Sequence, residues 1–250
     1  MSAASQPASD RFLEAYNAID KLLRARLGAD RATGFYAMVE RAAALDGAVR
    51  RYSTDLKEFA DLRNAIIHER TDGRVIAEPH PETASRLEAI LEQLRRPPKL
   101  GDLFRARVIS SSASAPIGQA AKAMLDGNFS QTPVYEGDLF VGLLTSETIA
   151  RWLGDQLASG VGLLEEVGVR EVLRYTEDPE HYKFRSRTAT VFDALADFDE
   201  FARRGKFLDA VLITNSGQKN EKLLGIVTIF DMPKLHDAVD VRALFGGAQG

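Results

Sequence analysis

The chain has 250 residues, 45% hydrophobic and 27% charged, which excludes a disordered or fibrous protein and, at roughly 150 residues per domain, gives room for one large domain or two ordinary ones. It has no cysteine, which excludes disulfides, thiolate metal sites and a cysteine nucleophile; the histidines His68, His80, His181 and His236 show no zinc-ligand spacing, so no metal is expected. The net charge of −4 arises from 32 Lys and Arg against 36 Asp and Glu, without the concentrated cationic region that a general nucleic-acid binder carries.

The first ten residues are small and polar, and no stretch reaches the roughly 18 uninterrupted apolar residues of a membrane span. A cytoplasmic protein with no membrane partner is predicted. Apolar residues then recur at helical spacing: Phe12, Tyr16, Ile19, Leu23 and Leu27, next Phe35, Val39, Ala42 and Leu45, then Leu56, Phe59, Leu62 and Ile66. These stripes predict three helices. A fourth is predicted to begin at Pro81, which suits a first helical turn, and to run through Leu87, Ile90, Leu91 and Leu94 until Pro97-Pro98 stops it. Burying four such stripes in under 100 residues calls for an antiparallel helical bundle.

Beyond Lys99 short β-rich runs alternate with short helices. Thr132–Tyr135 and Leu139–Leu144 flank Glu136-Gly137-Asp138, a tight-turn sequence, and Ala210–Ile213 and Leu223–Val227 form a similar pair around Asn215-Ser216-Gly217. An amphipathic helix precedes each pair, over Ile117–Leu125 and Val191–Phe201. Gly142-Leu143-Leu144-Thr145-Ser146-Glu147-Thr148-Ile149 aligns with Gly225-Ile226-Val227-Thr228-Ile229-Phe230-Asp231-Met232, so the region is an internal repeat. The predicted class is α+β: an all-α helical bundle over 1–98, then a tandem α/β pair over 99–250, its first repeat at about 100–156 and its second at about 168–238.

A helix, a hairpin and Gly-apolar-apolar-Thr-x-x-Asp-apolar opening a last helix resemble the CBS domain (cystathionine β-synthase type), two copies of which form a Bateman module. The lead-ins Gly101-Asp102-Leu103-Phe104 and Arg170-Glu171-Val172-Leu173 are similar to the segments preceding each family repeat. The resemblance implies a regulatory ligand, an adenine nucleotide or adenosyl compound, with no cofactor required. Gly225 then lets the strand approach the ligand, Thr228 donates to a phosphate, and Asp231 accepts from two ribose hydroxyls. The first copy has Thr145, but Thr148 stands where the ribose carboxylate belongs, so one competent site and one weak site are expected. Lys183, Arg185 and Arg187 alternate on one side of a strand, where they either hold a polyphosphate or form a solvated face.

Arg63-Asn64-Ala65-Ile66-Ile67-His68 stands out in the third helix and resembles the Arg–His motif of the HEPN superfamily, over about residues 8–98. The resemblance implies a dimeric, metal-independent ribonuclease acting on single-stranded RNA, with Arg63, Asn64 and His68 in the catalytic role. A histidine titrating near neutrality suits proton transfer at a ribose 2′-hydroxyl, and a guanidinium suits the charged phosphate of the transition state. On one helix Asn64 and His68 share a face, while Arg63 and His68 lie about 140° apart. A composite site in a homodimer is therefore expected. Arg70 stands where one toxin branch of that superfamily has tyrosine, so tyrosine nucleotidylation is not expected. The alternative is a non-enzymatic, ligand-responsive scaffold or dimerisation protein. A metabolic enzyme with an appended regulator would need a phosphate loop, triad or metal motif, and the sequence has none.

Overall fold

The computed structural model describes the backbone of residues 6–68, 70–71, 74–75, 78–160 and 167–241, and their side chains apart from those of 68–75. Residues up to Pro98, with Thr190–Ala196 and the chain from Pro233, form one unit; Lys99–Ala189 and Asp197–Met232 form the other.

The first unit is helical: α1 (Ala8–Leu27), α2 (Phe35–Leu45), α3 (Gly47–Arg51), α4 (Ser53–His68) and α5 (Pro81–Arg95). Two short antiparallel strands, β1 (Arg70–Thr71) and β2 (Arg74–Val75), lie between α4 and α5. Among the described residues up to Pro98, five helices stand where the apolar spacing predicts four. The Asp46 carboxylate accepts from the backbone N–H of Ala48 at 2.8 Å and of Val49 at 3.3 Å, so it caps a separate short helix and ends α2. That turn leaves Leu45, read in the sequence as part of an apolar stripe, 81% exposed. The other stripes converge as expected. Phe12, Ile19 and Leu23 of α1 are sealed from solvent with Met38 of α2, Leu56 and Ile66 of α4, and Leu87, Ile90 and Leu94 of α5. At the surface, Arg11 Nε donates to Glu88 Oε1 at 2.9 Å, which joins α1 to α5. The buried Tyr52 hydroxyl donates to the Val239 carbonyl at 2.7 Å, fastening the end of the chain to the same unit.

The second unit carries the repeat. Its elements are α6 (Leu100–Leu103), β3 (Ser111–Ser112), α7 (Ile117–Asp126), β4 (Gln131–Glu136), β5 (Leu139–Thr145) and α8 (Ser146–Ser159), then α9 (Val169–Val172) and β6 (Tyr182–Ser186). The later part of α10 (Val191–Arg203), β7 (Ala210–Thr214) and β8 (Gly225–Val227) complete it, with α11 (Met232–Ala238) leading out. The two sheets are built alike. β3 pairs parallel with β4, and β4 antiparallel with β5; β6 pairs parallel with β7, and β7 antiparallel with β8. The turn between β4 and β5 uses Gly137 at φ 58°, a conformation that favours glycine. The longer β7–β8 connection is folded by Glu221, which accepts from the Ser216 backbone N–H at 2.7 Å and from its hydroxyl at 2.9 Å.

The lead-in segments exchange partners. Leu100 N–H donates to Ala189 O at 2.8 Å and Gly101 N–H to Arg187 O at 3.0 Å, so the first lead-in joins the second copy. Val169 N–H donates to Ala115 O at 3.0 Å and Arg170 N–H to Ala113 O at 2.9 Å, so the second lead-in joins the first. Each copy thus depends on a segment that precedes the other. Val169 and Val172 are buried with Ile117, Met124, Leu144 and Trp152 of the first copy. Between the sheets, Phe140 meets Tyr182 and Phe184 edge-on at 5.2 Å each, beside Leu143 and Leu212.

Candidate ligand site in the tandem repeat

At the end of β8 the Thr228 backbone N–H donates to Asp231 Oδ2 at 2.8 Å, and the Thr228 hydroxyl donates to the same oxygen at 3.1 Å. Asp231 N–H donates back to Thr228 O at 3.0 Å, closing a 3-10 turn over Ile229–Asp231 before α11 begins at Met232. The turn holds both polar side chains at fixed positions and leaves Ile229 and Phe230 exposed. Helix-start stabilisation is therefore one role of this pair. A second follows from their surroundings. Thr228 and Asp231 line a cavity of about 760 Å³ with Asn128, Phe129, Ser130 and Gln131. Thr228, Phe129 and Gln131 also line a smaller cavity of about 170 Å³, together with Arg107, Val108, Pro133 and Ile226. The larger volume falls within the roughly 300–1,000 Å³ of small-molecule sites.

Gly225 does not line either cavity. A Cβ at this position would sit 2.0 Å from the Phe104 carbonyl oxygen, so glycine is required for the first lead-in to lie against β8. The approach seen at Gly225 is one of backbone to backbone.

Lys183 and Arg185 are on one side of β6 as the alternation predicts, and both pair with carboxylates of α10. Lys183 Nζ lies 2.9 Å from Asp197 Oδ1 and 2.7 Å from Glu200 Oε2. Arg185 meets Asp197 through Nε at 2.7 Å and a second nitrogen at 2.5 Å. Asp197 is 1% exposed, and the two cations offset its buried charge. Burial pulls the Lys183 ammonium pKa down, but its bonds to Glu200 and Asp197 outweigh that and raise it; the same pairing lowers the Glu200 carboxyl. Arg187 lies beyond the end of β6 and is exposed.

In the first copy the corresponding side chains engage one another. Thr145 accepts from Thr148 N–H at 3.1 Å, capping α8, and the two hydroxyls lie 3.0 Å apart. They border a cavity of about 560 Å³, in which the charged lining groups pair with one another. Arg151 bonds Glu147 at 3.1 Å and also Glu177, Lys206 lies 2.8 Å from Asp178, and His181 Nδ1 lies 2.7 Å from Asp209 Oδ2. The pairing with Lys206 holds the Asp178 carboxyl below its ordinary range.

In the helical unit, Arg63 and Asn64 adjoin on α4: Arg63 Nη1 donates to Asn64 Oδ1 at 3.2 Å. The Arg63 guanidinium lies over the Tyr16 ring at 5.8 Å, and its buried Nε has no hydrogen-bond partner among the described residues. Burial pushes the Tyr16 hydroxyl pKa up to about 12, opposed by the nearby charge of Arg63. The backbone of His68 ends α4, and its side chain lies outside the described residues.

Arg107, not singled out in the sequence, lines the smaller cavity. It is exposed beside Thr228 and has no carboxylate partner among the described residues. Its only signal is its place between the first lead-in and β3.

Residues 100–155 match the CBS domain family, and the second copy repeats the strand order and pairing of that segment. No curated protein matches the chain. Among solved structures it is similar to the CBS domain pair of protein MJ0100, in complex with 5-methylthioadenosine and S-adenosyl-L-methionine: 19% identity, 58% of this chain and 99% of that one, TM-score 0.41. It is similar to CBSX2 in complex with AMP, with 15% identity, 55% and 94% coverage and a TM-score of 0.40. The CBS-domain protein ATU1752 from Agrobacterium tumefaciens gives 20% identity, 55% and 89% coverage and a TM-score of 0.41. No helix among the described residues is long and apolar enough to cross a membrane.

Proposed function

We propose that the chain is a regulatory protein whose tandem repeat binds an adenine nucleotide or adenosyl compound at Thr228 and Asp231. The observation that carries this reading is the position of the two side chains: both are fixed by one turn, and both line a cavity of about 760 Å³. Asp231 uses Oδ2 toward Thr228, and its carboxylate is the natural acceptor for a ribose diol. The first copy does not offer the same chemistry, since Thr148 is neutral and already faces Thr145. The test is calorimetry of the full chain with AMP as probe. Asp231→Ala is expected to weaken binding about ten- to a hundredfold, the worth of hydrogen bonds to a charged acceptor. Unchanged affinity in that variant would refute the site.

The helical unit supports a second reading, a metal-independent endoribonuclease acting as a homodimer on single-stranded RNA through Arg63, Asn64 and His68. Arg63 favours it, because its bond goes to Asn64 and it has no ion pair among the described residues that would account for it structurally. A ligand in the tandem repeat regulates such an activity only if it binds two arrangements of the protein with unequal affinity. Cleavage of RNA by the full chain, measured with and without AMP, separates this reading from a non-enzymatic scaffold. The nuclease reading expects His68→Ala and Arg63→Ala to abolish cleavage, with dimerisation retained and chelator without effect. A wild-type chain that cleaves nothing in either state leaves the scaffold.

A further inference from the structure

Charge is unevenly spent across the tandem repeat. Lys183 and Arg185 are neutralised by Asp197 and Glu200, Arg151 by Glu147 and Glu177, and Lys206 by Asp178. Arg107 has no carboxylate partner among the described residues, and it lines the small cavity together with Thr228. Of the residues lining this cavity and its larger neighbour, Arg107 and Asp231 are the two ionisable ones among those described. The polar residues Asn128, Ser130, Gln131 and Ser146 can donate hydrogen bonds but cannot offset charge.

We propose that this site selects a nucleoside 5′-monophosphate over the corresponding triphosphate, with Arg107 as the residue that sets the preference. The proposal rests on the adenosyl reading of Thr228 and Asp231 and adds the number of phosphates. A terminal phosphate brings a charge of about −1.5 to −2 near neutral pH. One guanidinium meets it with two parallel hydrogen bonds, a geometry that a lysine ammonium does not reproduce. Thr228, shared by both cavities, places the phosphate between itself and Arg107 while the ribose diol reaches Asp231. A nucleoside without phosphate leaves Arg107 unused. Each further phosphate adds negative charge that no second lining cation among the described residues offsets and that is repelled by the Asp231 carboxylate. Repulsion of this kind acts over several ångströms and is only partly screened within a cleft.

The experiment is calorimetry of the full chain with adenosine, AMP and ATP in magnesium-free buffer, for wild type and Arg107→Met. In the wild type AMP is expected to bind about tenfold more tightly than adenosine, and ATP about tenfold more weakly than AMP. In Arg107→Met the AMP affinity falls to that of adenosine, and the adenosine affinity stays within about twofold. ATP binding as tightly as AMP overturns the proposal while leaving the adenosyl reading intact. So does an Arg107→Met variant that weakens adenosine and AMP alike, since Arg107 would then not be reading the phosphate. If the wild type binds none of the three, the adenosyl reading itself fails and the selectivity falls with it.

Discussion

The two motif glycines occupy the same place in their repeats, yet the structure assigns them different costs on substitution. A Cβ on Gly225 would lie 2.0 Å from the backbone oxygen of Phe104 and 3.1 Å from its carbonyl carbon. Neither atom can move without shifting the lead-in that carries the hydrogen bonds of Leu100 and Gly101. A Cβ on Gly142 would meet Leu173 side-chain atoms at 3.3 and 3.4 Å, which a rotamer adjustment accommodates. Overpacking typically costs about 1–3 kcal/mol, and the need to displace backbone puts Gly225→Ala at the upper end, about 3 kcal/mol. For a domain of this size that corresponds to a fall of about 6–12 °C in melting temperature. Gly142→Ala is expected to cost about 1 kcal/mol, the lower end of overpacking, and so a fall of about 2–4 °C. Thermal denaturation followed by circular dichroism without ligand measures both. A Gly225→Ala protein that melts with the wild type but has lost AMP binding would refute this reasoning and restore the ligand-approach role for the glycine.

Other outcomes follow from the ion pairs. Lys183→Met is expected to leave AMP affinity unchanged within about twofold in calorimetry, because Lys183 is committed to Asp197 and Glu200; a loss of tenfold or more would put it back in the ligand site. Asp197→Asn strands two cations against a buried position and is expected to cost about 1–3 kcal/mol in urea denaturation, less than a fully buried pair because both cations reach solvent. Pairing with Lys183 lowers the Glu200 carboxyl below its ordinary value of 4.5. Its contribution is therefore present above that pH and lost as pH falls through the lower folded value. Melting temperature should drop on acidification below about pH 4.5, more shallowly in Lys183→Met, and an equal acid slope in the two proteins would contradict the assignment.

Local features were legible in the sequence. The apolar stripes of the helical unit, the glycine turn at Glu136-Gly137-Asp138 and the repeated Gly-apolar-apolar-Thr segment are short-range patterns, and each specifies an element by itself. Leu45 was misread because spacing alone does not reveal that Asp46 caps a new helix. The exchange of lead-ins was not legible, since it joins Leu100 to Ala189 and Val169 to Ala115 across long stretches of chain. Lys183 and Arg185 showed their alternation but not their partner, because Asp197 lies on a helix after the strand. Arg107 does not stand out for the converse reason: an arginine without a carboxylate partner among the described residues and a paired one are identical in sequence.

We propose one competent ligand position in the tandem repeat, at Thr228 and Asp231, because the first copy has the neutral Thr148 in place of the carboxylate and the charged groups of its cavity pair with one another. The stoichiometry of AMP bound to the full chain, measured calorimetrically for wild type, Asp231→Ala and Thr148→Ala, tests it most directly. One AMP per chain is predicted, with binding weakened about ten- to a hundredfold by Asp231→Ala and unaffected by Thr148→Ala. Two AMP per chain, or binding that depends on Thr148 rather than Asp231, would contradict it.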